Sequence, residues 1–520
     1  MILDFADIGH YAVIGNVLSG KSTFLQTALY GLISRYTPEE VSIYAIDFSS
    51  RMLESFAAAP HTGGVLFEQD EDSIGKFFYL MEQLLSERKK VVRGGNFGQF
   101  IEKNGKVFPA VVIAIDQYGS FREKTGNKYD SQMLQLAKEG LGYGIYLLLS
   151  AGDISASEIP SKLADNIRGR ICLEMNDKFS YREILSSGPS EVLPKEGVRG
   201  RGLVNWHGSP LEFQTALVFP AANDFDRSEK LEQFCREKKE AWSGTPARRI
   251  PRIPEHPVWS EYRELPEVQA LFADDRHLPV GYLEESAYPY SLDLGVFFCY
   301  LVAGKKRSGK QNFFSVLLRS CAEKGGKLYV FGSGKGVLKK EAETVGAEYY
   351  NETEELFRFG TDFQPELVRR NKKKRAFEDS GMTEEELYEA MKDEEAVFVF
   401  IEDLTSFTEA LYAKKEGAPV VNGWYETFIS RAWYHRIYVF IGIDPETIGT
   451  VRGRAFYEHA VHDRTGMHFG GNVAEQRLMS FDYITSYKDQ ARIEGPETGL
   501  PSTGDGRMAA GRTVIPEARK

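Results

Sequence analysis

Two stretches of this chain, HYAVIGNVLSGKSTFLQTALYGLI (10–33) and FFCYLVAGKKRSGKQNFFSVLLRSCA (297–322), follow one plan. In each, a short apolar run reads as a buried strand. A glycine loop carrying Gly-Lys comes next, and apolar residues then recur at helical spacing. The likeness continues downstream in the same order. LLSERKKVVRGG (84–95) matches LVRRNKKKRAFEDSG (367–381), AVVIAIDQYGSF (110–121) matches AVFVFIEDLTSF (396–407), and YGIYLLLSAG (143–152) matches YHRIYVFIGID (434–444). Lys310 follows Lys21 by 289 positions (310 − 21), and Glu402 follows Asp116 by 286 (402 − 116). Landmarks held at so constant an offset indicate two diverged copies of one α/β domain. Alternating strands and helices imply a mostly parallel sheet with helices on both faces.

At 520 residues the chain exceeds what one hydrophobic core supports, which agrees with a duplication. Residues 1–222 are expected to form the first domain, 223–259 a helix and linker, and 260–520 the second domain. The linker rests on WSGTPARRIPRIPEHPVW (242–259), whose four prolines favour extended backbone, preceded by the mixed-charge helical stretch 226–242. The second copy has a lead-in near 278–294 that the first lacks, so the chain reads as a piece of a longer one. The Gly-, Pro- and Thr-rich end 495–520 is expected to be loop or loose tail.

A net charge of −11 argues against broad DNA binding, which depends on neutralising many phosphates. The four cysteines, Cys172, Cys235, Cys299 and Cys321, form no CxxC pair, so reduced thiols are expected. No apolar run is long enough to span a membrane, and no signal peptide is evident.

GNVLSGKST (15–23) satisfies the full P-loop pattern GxxxxGK[ST] between a strand and a helix. Gly15 and Gly20 let backbone N–H groups face phosphates, at a helix N-terminus that favours negative charge. Lys21 is expected to neutralise the β- and γ-phosphates, Ser22 to ligate Mg²⁺ and Thr23 to meet the α-phosphate. Asp116, ending the strand VVIAID, is the expected Walker B acid on the Mg²⁺ side. Beside it Gln117 can orient water but cannot take its proton. Losing a general base typically costs about 10²–10⁴ in rate, so ATP binding with weak or no hydrolysis is expected.

In the second copy, Gly304, Gly309 and Lys310 keep the phosphate cradle, and Lys305, Lys306 and Arg307 add charge. Gln311 replaces the hydroxyl that Mg²⁺ needs, and Glu402–Asp403 inverts the acidic pair; Mg²⁺ tolerates misplaced ligands poorly. Two readings stand here: a loop holding ATP with little or no Mg²⁺, and a loop holding nothing. His459, His462 and His468 invite a zinc reading, with an exposed polar helix as the plainer one. Arg168 and Arg170 are candidate arginine fingers or structural strand-end cations, and NKKKR (371–375) reads as a solvated face.

HYAVIGNVLSGKST, FPAVVIAIDQYGSF, GLGYGIYLLLSAG and IPSKLADNIRGRICLEMNDKFSYREIL (159–185) together resemble an FtsK/SpoIIIE-type ATPase domain. A tandem of such domains with eroded later motifs resembles the C-terminal part of type VII secretion motors of the EssC/EccC type. The resemblance implies two tandem RecA-like P-loop domains, forkhead-associated domains, transmembrane helices and another ATPase domain upstream, and a place on the cytoplasmic side of the membrane. It also implies secreted WXG-type proteins as substrates, recognised by the last domain, and other ATPase domains and membrane components as partners. A hexamer is implied for the full-length protein, with a soluble, monomeric segment here. In the resembling ATPases a glutamate usually follows the Walker B aspartate, so Gln117 is a departure. A DNA translocase fragment and an inactive pseudo-ATPase scaffold are the alternatives.

Overall fold

The computed structural model describes residues 3–518 except 94–95, 186–192, 207–208, 334–335, 414–420, 474–475, 482–483, 485 and 503–510. The chain divides into two compact units, Met1–Arg252 and Ile253–Lys520.

The first unit holds eight strands: β1 (Tyr11–Ile14), β2 (Val41–Asp47), β3 (Thr62–Phe67), β4 (Ala110–Asp116), β5 (Ile145–Ala151), β6 (Gly169–Leu173), β7 (Arg201–Trp206) and β8 (Ser209–Gln214). They lie in the order β3-β2-β4-β5-β1-β6-β7-β8. Pairing is parallel from β3 to β6, and antiparallel from β6 through β8. The central strands are apolar along their whole length because both faces are covered. Alternate residues feed two cores: Ile14, Ile113, Ile115 and Leu149 pack on one side, and Val13, Val112, Ala114 and Leu148 on the other.

The second unit holds β9 (His277–Leu283), β10 (Pro289–Asp293), β11 (Cys299–Gly304), β12 (Lys327–Phe331), β13 (Glu348–Tyr350), β14 (Val397–Ile401), β15 (Ile437–Ile443), β16 (Gly466–Gly471), β17 (Glu494–Ser502) and β18 (Thr513–Val514). Their order, read from the same edge, is β13-β12-β14-β15-β11-β16-β17-β18-β9-β10. Its first eight positions repeat the first unit strand for strand, and the β9–β10 hairpin extends the far edge. Two tandem α/β units, each with a mostly parallel sheet between helices, are therefore present, and the P-loop strand sits at the same place in both.

Three expectations change. The end of the chain is not a loose tail: β17 pairs antiparallel with β16, β18 joins β17 to β9, and Ile515 and Ala518 are buried in the core. Residues 503–510 lie outside the described residues. Glycine and proline content misled here, because local composition does not register the strands that pair with this segment on both sides. The helix Asp224–Glu240 is not a free spacer, since Leu231 and Cys235 enter the first unit's core. The proline-rich stretch also runs along this unit, where Ala247 and Ile250 N–H groups donate to Pro60 and Gly63 carbonyls. Finally, NKKKR is only partly solvated: Lys373 pairs with Asp393 and Glu394, and Lys374 donates to the Trp433 carbonyl.

Candidate functional site

The P-loop of the first unit leaves β1 at Gly15 and enters the helix Lys21–Arg35 at Gly20. Leu18 (φ 66°) and Gly20 (φ 105°) both turn into the left-handed region, which directs successive N–H groups into one concavity. No side chain fits at Gly20, where a Cβ would stand 2.9 Å from the Gly200 nitrogen. At Gly15 a Cβ would stand 2.6 Å from Ser19 Oγ. Lys21 is buried and its Nζ donates to the Gly15 and Asn16 carbonyls at 2.6 and 2.8 Å, so the loop holds its own cation over the cradle.

The expected magnesium side is assembled from the P-loop helix and two strands, β4 and β5. Ser22 Oγ donates to Asp116 Oδ2 at 2.6 Å, and Ser150 Oγ, from β5, donates to Asp116 Oδ1. Asp116 is fully buried; burial raises its pKa, opposed by these two hydroxyls and by Lys21. Burial likewise lowers the Lys21 pKa, opposed by Asp116 and Glu158. A hydroxyl and a carboxylate in contact, beside a lysine and an anion cradle, are a donor set that suits Mg²⁺. Gln117 follows at φ 59° and opens the helix Tyr118–Lys124, its N–H bound to Ser150 Oγ at 2.9 Å. Thr23 Oγ1 receives a hydrogen bond from Arg199 Nη2 at 3.3 Å.

The first site thus gathers Gly15, Gly20, Lys21, Ser22, Thr23, Asp116 and Gln117. Three further residues there escaped the sequence reading. Ser150 is the one polar side chain closing the run IYLLLSA, a signal that was visible. Arg199 and Glu158 come from loops whose sequence gives no register.

In the second unit the loop repeats its backbone: Arg307 (φ 65°) and Gly309 (φ 97°) stand 289 positions after Leu18 and Gly20. Gly304 is as tightly enclosed as Gly15, by Ser308 Oγ and the Phe469 carbonyl. The rest differs. Glu402 accepts from Ser333, outside the P-loop, through its N–H at 2.7 Å and its side chain, where Asp116 meets the P-loop hydroxyl of Ser22, and Asp403 caps the next helix through Ser406 N–H. Gln311 instead lines a cavity of about 350 Å³ with Asn312, Pro496, Glu497 and Glu517. Asn312, at the position of Thr23, donates to the Pro516 carbonyl and accepts from Ala518 N–H. This donor set does not fit Mg²⁺.

The remaining candidates separate. His459 lies on the helix Ala455–Ala460, His468 is buried on β16, and His462 is exposed beside Asp463. Among the described residues no group of three metal-ligating side chains forms. Arg168 is exposed, whereas Arg170 on β6 donates to the Ile184 and Ala164 carbonyls. No helix among the described residues is long and apolar enough to cross a membrane.

Residues 1–191 match the family model FtsK/SpoIIIE family. The type VII secretion system protein EssC of Staphylococcus aureus (strain MRSA252) is 24% identical over 444 residues, 80% of this chain and 29% of that protein. The chain spans less than a third of the length of the curated relatives it matches. Among solved structures, EssC (ATPases 2 and 3) from Geobacillus thermodenitrificans superposes with a TM-score of 0.74 at 19% identity, covering 99% of this chain and 93% of that one. Thermomonospora curvata EccC (ATPases 2 and 3), solved in complex with a signal sequence peptide, gives 0.60 at 22% identity, covering 100% and 89%. The family match covers residues 1–191, and the chain as a whole is similar in sequence and fold to the type VII secretion ATPases EssC and EccC.

Proposed function

We propose that the first unit binds ATP with Mg²⁺ and turns it over slowly, as part of a type VII secretion motor whose nucleotide state is coupled to protein export. The observation that supports this best is the buried link from P-loop to Walker B strand, Ser22 Oγ to Asp116 at 2.6 Å, beside a cradle already holding Lys21. In this reading Gly15 and Gly20 shape the cradle, Lys21 meets the β- and γ-phosphates and Thr23 the α-phosphate. Ser22 and Asp116 hold Mg²⁺, which supplies charge neutralisation between the terminal phosphates. Gln117 orients water.

The second unit, through Gly304, Gly309 and Lys310, keeps a cradle without the magnesium apparatus. With Gln311 turned into the neighbouring cavity, it is a regulatory site that holds nucleotide weakly or not at all. The peptide bound to the EccC relative supports substrate recognition by a segment of this kind, with WXG-type proteins as cargo. Partner ATPase domains, membrane components and hexameric assembly at the membrane belong to the same proposal.

Calorimetric titration with ATP and Mg²⁺ tests the core of it. Lys21→Ala should weaken binding at the first site about 100-fold, the loss of a buried cation with charge-assisted bonds. Unchanged affinity would remove the site from consideration. Strong stimulation of hydrolysis by duplex DNA would favour a DNA translocase instead.

A further inference from the structure

On the Walker B strand of the first site Asp116 is engaged by the Ser22 and Ser150 hydroxyls, and Gln117 after it cannot accept a proton. The neighbouring strand brings a carboxylate to the same edge. β5 lies between β1 and β4, with Ala151 opposite Ile14 and Leu149 opposite Ile115. The Ala151 carbonyl accepts the N–H of Gly15, where the P-loop begins. The chain then leaves β5 at Gly152 and returns so that Glu158 Oε2 accepts the Gly152 N–H at 2.9 Å.

That returning loop is pinned. Arg122 Nη1 donates to the Ala156 and Ser157 carbonyls at 3.1 and 2.8 Å, while Nε and Nη2 grip Asp130 at 2.9 and 2.8 Å. The Glu158 carboxyl group also sits against Gly119, two residues past Gln117. A Cβ there would lie 2.5 Å from Glu158 Cδ. Glu158 is thus fixed between the end of β5 and the helix that follows Asp116, close enough to Lys21 to act on its charge. This is the γ-phosphate end of a P-loop site, since Lys21 reaches toward the terminal phosphates.

The second unit repeats the placement by other means. Ile443 pairs with Ala303 as Ala151 pairs with Ile14, so Asp444 stands where Gly152 does. Among the acids that act on Lys310, Asp444 is the strongest. In both copies an acid therefore stands past the end of the β5-type strand, Glu158 from the returning loop and Asp444 directly after β15, beside a Walker B strand that lacks a glutamate after its aspartate.

We propose that Glu158 is the general base of the first site, a role that rests on the ATP-binding reading above. As the water oxygen bonds to Pγ, Glu158 takes the water proton, and the bond from Pγ to the β–γ bridging oxygen breaks. ADP leaves with that electron pair. The plainer role, a cap for the Gly152 N–H, predicts none of this, and Glu158→Gln separates the two because the amide oxygen still accepts that hydrogen bond.

The experiment uses the 520-residue chain. ATP and ADP affinities are measured by titration, and hydrolysis is followed under single-turnover conditions at neutral pH. Glu158→Gln should bind ATP about 3-fold more tightly and ADP unchanged, because only ATP places a charged γ-phosphate beside the carboxylate. Its turnover should fall about 100-fold, and adding Gln117→Glu should restore part of the rate. Unchanged ATP affinity, unchanged turnover, or wild-type turnover no faster than that of Lys21→Ala would each overturn the assignment. Absence of all nucleotide binding in the wild type would overturn the ATP-binding reading itself. If Glu158→Gln fails to fold, Glu158→Asp serves: it keeps the charge a methylene shorter and should slow turnover with ADP affinity unchanged, and turnover at the wild-type rate would overturn the assignment.

Discussion

The two P-loops of this chain have nearly the same backbone and different surroundings. Leu18 and Gly20 match Arg307 and Gly309 in φ to within about ten degrees, so the fold maintains the anion cradle in both units. What surrounds the cradle has diverged. In the first unit a serine hydroxyl bridges P-loop and Walker B strand, and Thr23 keeps a single long contact from Arg199. In the second unit the acid is engaged by Ser333, outside the P-loop, and Asn312 is tied to the end of the chain by two hydrogen bonds. Backbone geometry is set by strand order and glycine sterics and survives substitution. Metal and nucleoside contacts depend on single side chains and do not.

The largest effect expected to sharpen this contrast concerns two buried histidines. His10 in the first unit receives the Leu147 N–H on Nδ1 and binds the Ala137 carbonyl through Nε2, so it is the neutral Nε2–H tautomer. His435 in the second unit binds the Trp433 carbonyl through Nδ1, with the Ala432 backbone as a further partner, and its buried Nε2 has no partner among the described residues. Burial lowers both pKa values to about 4. With the folded value below the unfolded one near 6.5, the unfolded chain binds more protons between them. Stability is therefore present above that window and lost as pH falls through it, by up to about 3 kcal/mol for each histidine. Thermal unfolding at pH 7 and at about pH 5 measures the loss. The units should respond differently to His→Leu at neutral pH. His10→Leu strands Leu147 N–H and Ala137 C=O, at about 2 kcal/mol, while His435→Leu costs little. Equal costs would break the contrast.

How far these differences could be read from sequence depends on how local their causes are. The two tandem α/β units and their mostly parallel sheets were legible, because apolar runs, glycines and a Gly-Lys pair at fixed offset carry their meaning in a few adjacent positions. The roles of Glu158 and Arg199 were not, since each arrives from a loop whose path is set by distant anchors such as Arg122 and Asp224. The chain end was misread for a related reason. Its glycines and prolines signal irregular backbone locally, and only pairing with β16 and β9 makes it part of a sheet.

A second, smaller effect probes the cradles themselves. Gly20→Ala and Gly309→Ala both place a Cβ on left-handed backbone, at a cost of about 1–2 kcal/mol. Their neighbours differ: the new Cβ would stand 2.9 Å from Gly200 N in the first unit and 1.8 Å from the Pro496 carbonyl oxygen in the second. Neither contact can yield by a rotamer change, and the second is far shorter. Gly309→Ala should be the more destabilising by about 1 kcal/mol or more in denaturant unfolding, because β17 must shift. The reverse order would show that the second P-loop yields more easily than the first.

The smallest effect bears most directly on function. Burial raises the Asp116 pKa, so the folded state holds its proton more firmly than the unfolded chain does. Between the unfolded value and the raised folded value, stability falls as pH increases, and at neutral pH the buried carboxylate is a net cost. Asp116→Asn removes that charge while leaving an oxygen to accept from Ser22 or Ser150. It should stabilise the nucleotide-free first unit by about 1 kcal/mol in denaturant unfolding at pH 7, and abolish any added stabilisation by ATP with Mg²⁺. Glu402→Gln in the second unit should share the first outcome, since burial raises its pKa as well, and should leave the ATP–Mg²⁺ effect intact. A site kept for chemistry holds a charge that the fold alone would discard. Loss of the ATP–Mg²⁺ effect on Glu402→Gln would mean that the second Walker B acid still serves nucleotide.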